Sequence, residues 1–219
     1  MDVAFNLEKK RIILTIDSVV VAGWTGRNMA AVQHHIDELA ALGIEPPSQV
    51  PLYYRVANTL LTQVPTIEVL GDGTSGEVEP LLIQSNGKIF FGLASDHTDR
   101  DLEAHSVAAS KQACAKPIAQ DVWDFEEIKG HLEDITLRCW IEENGREILY
   151  QEGNLSGIRP LSELCDGAGF ADGTAMLCGT FAAIGGVRPA GMYRMEASDP
   201  VTGKTLALSY GVSTLPIIS

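Results

Sequence analysis

EVEPLLIQSNGKIFFGLASD, residues 77–96, is the stretch whose reading decides the fold. Residues 77–84 and 88–94 are two apolar runs joined by Asn86-Gly87, the residue pair that best tolerates a two-residue hairpin turn. In a strand alternate side chains share a face, so Glu77 and Glu79 project the same way. Two adjacent anions repel unless something cationic sits between them. Leu81, Leu82 and Ile83 follow at once, so the strand runs into a core, and carboxylates at a core boundary are costly without a partner. A solvent-exposed acidic strand face is the plain alternative. If a cation is the partner, oxygen-only ligands favour Mg2+, Mn2+ or Ca2+ over zinc.

Outward from this hairpin, residues 11–22 are rich in Ile and Val and read as strand. Gly23 to Asn28 read as a turn. Residues 29–42 read as a helix with Asn28 as N-cap and Gly43 beyond its end; Val32, Ile36, Leu39 and Ala40 form one apolar stripe. Prolines exclude helix over 45–51, and GDGTSG, residues 71–76, marks a loop. A helix is expected over 102–115. Further on, 134–142 alternates like a half-buried strand, Asn144-Gly145 turns it back, 160–165 reads as helix, and 173–180, 190–197 and 204–211 read as strands. Many short strands with two or three helices give a single α+β domain over 1–219.

The chain has 219 residues and a net charge of −13. Such a charge does not neutralise phosphates, which argues against a nucleic-acid partner. The four cysteines form no CxxC pair and fit no zinc spacing, so they read as reduced thiols of a cytoplasmic protein. Asp2, Glu8 and Asp17 are wrong for a signal peptide, and no apolar run is long enough for a membrane helix.

Other constellations could carry chemistry. His34 and His35 lie in the expected helix; Glu38 is one turn from His35, and a carboxylate-paired His is a base near neutral pH. An exposed helix face is the plain alternative. Asp96 ends a strand, where loops place functional groups, while Asp99, Arg100 and Asp101 could be a structural salt-bridge knot. Lys111 and Lys116 are equal candidates by composition. Gly179-Thr180 could present an N–H and a hydroxyl to a ligand. No P-loop, GxGxxG or GxSxG motif is present.

Taken in order, these segments resemble the motifs of the fumarylacetoacetate hydrolase superfamily. Gly26-Arg27-Asn28 followed by His35-x-x-Glu38 is similar to its G-R-N-Y…H-x-x-E segment. Pro51 to Arg55 is similar to its P-x-L-F-x-K-P, Glu77-x-Glu79 to its E-x-E, and Ser95 to Glu103 to its N/D-D-x-S/T-A-R-D-x-Q. Lys111 to Pro117, then Asp172 to Thr180 with Gly185-Gly186, complete the series. Met29, Arg55 and Phe181 depart from the family's usual Tyr, Lys and Pro, and Glu79 to Asp96 is shorter than usual, which places the chain in a divergent bacterial branch. The resemblance implies a mixed β-roll or β-sandwich with a few short helices, and a homodimer. It implies a divalent ion (Mg2+, or Mn2+ or Ca2+) on Glu77, Glu79 and Asp96. His35, Glu38 and Lys111 become catalytic, and Arg27, Asn28, Arg100, Gly179 and Thr180 bind substrate. The implied activity is hydrolytic C–C cleavage of an acylpyruvate-type 2-oxo acid through an enolate. Isomerisation, decarboxylation or dehydration of a related 2-oxo acid, or a non-catalytic ligand-binding relative, are the alternatives.

Overall fold

The computed structural model describes residues 1–41 and 46–218; within the helix Met29–Ala41 the side chains of His35, Glu38 and Leu39 are outside the described set, as is Gly43. Two sheets dominate. The first has eight strands, in the order Lys10–Thr15, Asp2–Leu7, Asp121–Asp124, Lys88–Ser95, Val78–Ser85, Thr174–Leu177, Ser18–Gly23 and Leu52–Val56. The second has five: Arg146–Asn154, Thr136–Glu143, Met192–Ser198, Thr205–Leu215 and Thr66–Leu70. Both mix parallel and antiparallel pairs.

The Asn86-Gly87 hairpin forms as its sequence requires, both residues taking positive φ (53° and 73°). Its strands are central in the eight-stranded sheet and buried on both faces. Leu82 and Phe91 face a core shared with the second sheet, whose Tyr150, Tyr193 and Tyr210 join it. Leu81, Ile83, Phe90 and Ala94 face a second core. Leu14 and Val56, from the two edge strands, meet in that same second core, so the sheet must curl round it. This is the mixed β-roll, strand-rich with few short helices, that the resemblance implies.

Several elements depart from their expected bounds. The expected strand 11–22 is two strands, broken where the amides of Asp17 and Ser18 both donate to the carbonyl of Gly173. The helix expected over 102–115 is also two, Arg100–Glu103 and Val107–Ala113, because Asp99 caps the first and the Ser106 hydroxyl caps the second. Strand 173–180 shortens to Thr174–Leu177. In the helix Met29–Ala41 the Asn28 side chain accepts from the amides of Ala30 and Ala31, as an N-cap does, and Ile36 is buried. Ala40 is exposed, so the apolar stripe is narrower than its spacing suggests.

Candidate metal centre

The hairpin register builds the site. Val78 pairs with Ser95 and Glu79 with Ala94, and the amide of Asp96 donates to the carbonyl of Glu77 at 3.0 Å. Alternation then places Glu77, Glu79 and Asp96 on the face that carries Leu81, Ile83 and Ala94, at the end of the core the sheet encloses. One carboxylate oxygen from each of the three acids lies within 4.8 Å of the others. Glu79 and Asp96 are buried and Glu77 is partly so. Ser95 and His97 point the other way. The Tyr210 hydroxyl meets Ser95 Oγ at 2.7 Å and His97 Nδ1 at 3.0 Å, and His97 Nε2 meets Thr74 Oγ1 at 2.8 Å.

Protein groups surround the acids. Lys111, buried on the helix Val107–Ala113, donates to Asp96 Oδ2; Lys116, fully buried on the two-residue strand Lys116–Pro117, lies 3.2 Å from Asp96 Oδ1. Arg100 reaches Glu77 Oε1 at 3.3 Å, Glu103 at 2.8 Å and Ser75 Oγ at 2.7 Å. The backbone amide of Gly179 donates to Glu79 Oε2 at 2.8 Å. Lys111 also stands 5.7 Å from the centre of the Tyr54 ring.

The surroundings shift the three acids in opposite directions. Burial, then the Asp96 charge, push Glu79 well above the usual carboxylate range, and burial also raises Glu77. Burial would raise Asp96 as well, but Lys111 and Lys116 outweigh it and hold Asp96 well below that range. Burial lowers Lys111 less than Asp96, Glu77 and Glu79 raise it, so it stays an ammonium. Glu79 is thus a carboxyl whose charged form a bound cation would favour. Three carboxylates with oxygen donors only, converging from one face, fit a hard divalent ion.

The predicted site residues divide. Glu77, Glu79, Asp96, Lys111, Arg100 and Gly179 come together. The Gly179 amide donates to Glu79 Oε2 and the Thr180 hydroxyl to the carbonyl of Val78 at 2.7 Å, so in this structure both donors are spent on the protein itself. Arg27 donates to the carbonyl of Ile158 and to Glu133, and Asn28 caps its helix, so both side chains are engaged elsewhere. His35 and Glu38 lie outside the described side chains, and His34 is exposed. Lys116, an equal of Lys111 by composition, is not among the site residues the resemblance picks out. Its signal is a lone cation in the small, apolar run Ala113-Cys114-Ala115-Lys116-Pro117-Ile118-Ala119.

The family model described as "Protein of unknown function (DUF2848)" matches residues 22–210, a span that holds every group around the three acids. The chain belongs to that family. No curated protein sequence matches this DUF2848 member. Among solved structures, it is similar to a fumarylpyruvate hydrolase from Pseudomonas aeruginosa in complex with Mn2+ and pyruvate, with TM-score 0.64 and 15% identity over 98% of this chain and 97% of that one. It is similar to a 2-keto-3-deoxy-D-arabinonate dehydratase complexed with magnesium and 2,5-dioxopentanoate, with TM-score 0.65 and 16% identity over 97% and 79%. A 4-oxalocrotonate decarboxylase from Pseudomonas putida G7, complexed with calcium and acetate, matches at TM-score 0.58 and 16% identity over 89% and 76%. At these identities the likeness is one of fold. No helix among the described residues is long and apolar enough to cross a membrane.

Proposed function

We propose that this DUF2848 member is a divalent-metal-dependent enzyme of the fumarylacetoacetate hydrolase superfamily that acts on a 2-oxo acid, with hydrolytic C–C cleavage of an acylpyruvate as its reaction. The observation that carries the reading is the convergence of Glu77, Glu79 and Asp96 in a fold shared with enzymes solved with Mn2+, magnesium or calcium. Those three residues would hold Mg2+ or Mn2+; when bound, such an ion supplies Lewis acidity and a template for a carboxylate and its neighbouring oxo group.

The chain's own residues do the rest. The Gly179 amide orients Glu79, and Arg100 orients Glu77. Lys111 supplies a fixed positive charge where negative charge develops on the substrate's oxygen. His35, with Glu38 three positions on in the sequence, is the base this reading assigns to take the proton from the attacking water. Water adds to the acyl carbonyl, the C–C bond breaks with its electron pair leaving on the pyruvate enolate, and the proton taken from water goes to that carbon, giving pyruvate and a carboxylic acid. A dehydratase and a decarboxylase share this fold at comparable scores, so dehydration or decarboxylation of a 2-oxo acid is the second reading.

The test is a panel of acylpyruvates, oxaloacetate and 2-keto-3-deoxy acids with Mg2+ or Mn2+, following product formation. Conversion of an acylpyruvate to pyruvate, abolished in Glu77→Ala/Glu79→Ala and reduced at least about 100-fold in His35→Ala, is expected. Turnover of only the deoxy acid or oxaloacetate selects the second reading. Binding without turnover across the panel makes the protein a non-catalytic relative.

A further inference from the structure

Lys116 has no part in the chemistry above, yet it is fully buried beside the acids. Its Nζ lies 3.2 Å from Asp96 Oδ1, 2.6 Å from the carbonyl of His97 and 3.1 Å from the carbonyl of Cys114. Two carbonyls accept hydrogen bonds from Nζ and a carboxylate oxygen stands at ion-pair distance, all of them negative or oxygen-bearing partners that suit an ammonium. Burial, and then Lys111, pull the Lys116 amine down and Asp96 pulls it up; the acceptors around it favour the ammonium, which makes it a second cation on Asp96, whose other oxygen Lys111 already holds.

The charges linked by contact are Glu77, Glu79, Asp96 and Glu103 against Arg100, Lys111 and Lys116. They sum to −1. A divalent ion entering alone leaves +1 in a largely buried site, where uncompensated charge is costly. The ion together with one substrate carboxylate leaves zero. Remove Lys116 and the ion alone reaches zero.

We propose that Lys116 couples metal uptake to substrate: the free protein holds a divalent ion weakly, and the ion and a 2-oxo carboxylate bind cooperatively. The proposal rests on reading the acids as a metal centre but not on which bond the enzyme breaks.

Calorimetric titration of Mn2+ into the metal-free full chain, with and without saturating pyruvate, tests it. In wild type and Lys116→Arg, pyruvate should tighten Mn2+ binding about tenfold or more, and Mn2+ should tighten pyruvate binding by the same factor. Lys116→Gln keeps donors for the two carbonyls but drops the charge; it should bind Mn2+ alone about tenfold more tightly than wild type, with the pyruvate effect largely lost. Glu103→Gln, at the partly exposed rim, moves the balance the other way and should weaken Mn2+ binding alone several-fold, keeping the test open if Lys116→Gln does not fold. Mn2+ binding to wild type that is indifferent to pyruvate overturns the coupling while leaving the metal centre standing, and so does a folded Lys116→Gln no tighter than wild type or a Glu103→Gln with unchanged affinity. Failure of every form to take up Mn2+, with pyruvate or without, removes the metal centre and the proposal with it.

Discussion

Gly179 shows how much of the site rests on single atoms. Its φ is +99°, and a Cβ there would fall 1.7 Å from Thr25 Oγ1. Its amide is also the donor that holds Glu79. Gly179→Ala should therefore lose about 3 kcal/mol or more of stability, from left-handed strain plus overpacking, as read by urea unfolding; a loss under about 1 kcal/mol would contradict this packing. Far from the site, the buried Asp199 organises the turn between the strands Met192–Ser198 and Thr205–Leu215. It accepts from Val201 and Thr202 amides, the Thr202 hydroxyl and His131. Burial raises its carboxyl, but these donors outweigh burial and hold it below the usual range. A carboxyl depressed by folding contributes stability that is present above its unfolded value of about 3.9 and is lost as pH falls through its folded value. Asp199→Asn should thus cost about 1–3 kcal/mol at pH 7, and the gap from wild type should narrow below about pH 4. A gap constant from pH 7 to pH 3 would contradict the assignment.

At the scale of elements, the hairpin is the framework. Phe91 is fully buried and stacks on Trp123 with ring centres 5.5 Å apart. Phe91→Ala should cost about 3–5 kcal/mol in denaturant unfolding. The same hairpin explains what was legible in the sequence. Its turn and alternation are local, so the shared face of Glu77 and Glu79 is legible in residues 77–84, whereas Asp96 joins them in the sequence only through the family resemblance. The breaks in the two longer elements could not all be read this way. The bend before Ser18 depends on a carbonyl at Gly173, far along the chain. By contrast the break at Ser106 is local: a Ser inside the expected helix 102–115 caps a new one. Lys116 joins Asp96 only because the strand Lys116–Pro117 pairs with Leu61–Thr62 while Ile118 bridges to Ala94, contacts that no spacing along the chain encodes. The Tyr210 contact that fixes His97 likewise comes from the other sheet, across more than 100 residues.

For the whole molecule, the acids stand where the curled sheet, the helix Val107–Ala113 and the Gly179 loop converge, so occupancy of the site and stability are linked. An ion that binds only the folded chain, at about 100 times its dissociation constant, adds about 2.7 kcal/mol. For a chain of this size that is a rise of about 5–10 °C in melting temperature. The rise should appear with Mn2+ plus pyruvate and vanish in Glu77→Ala/Glu79→Ala. The most direct measurement is the calorimetric titration of Mn2+, with pyruvate present, into wild type and into that double variant with its fold verified by circular dichroism. One Mn2+ per chain in wild type and none in the variant is the predicted result; equal binding by both would contradict the metal centre.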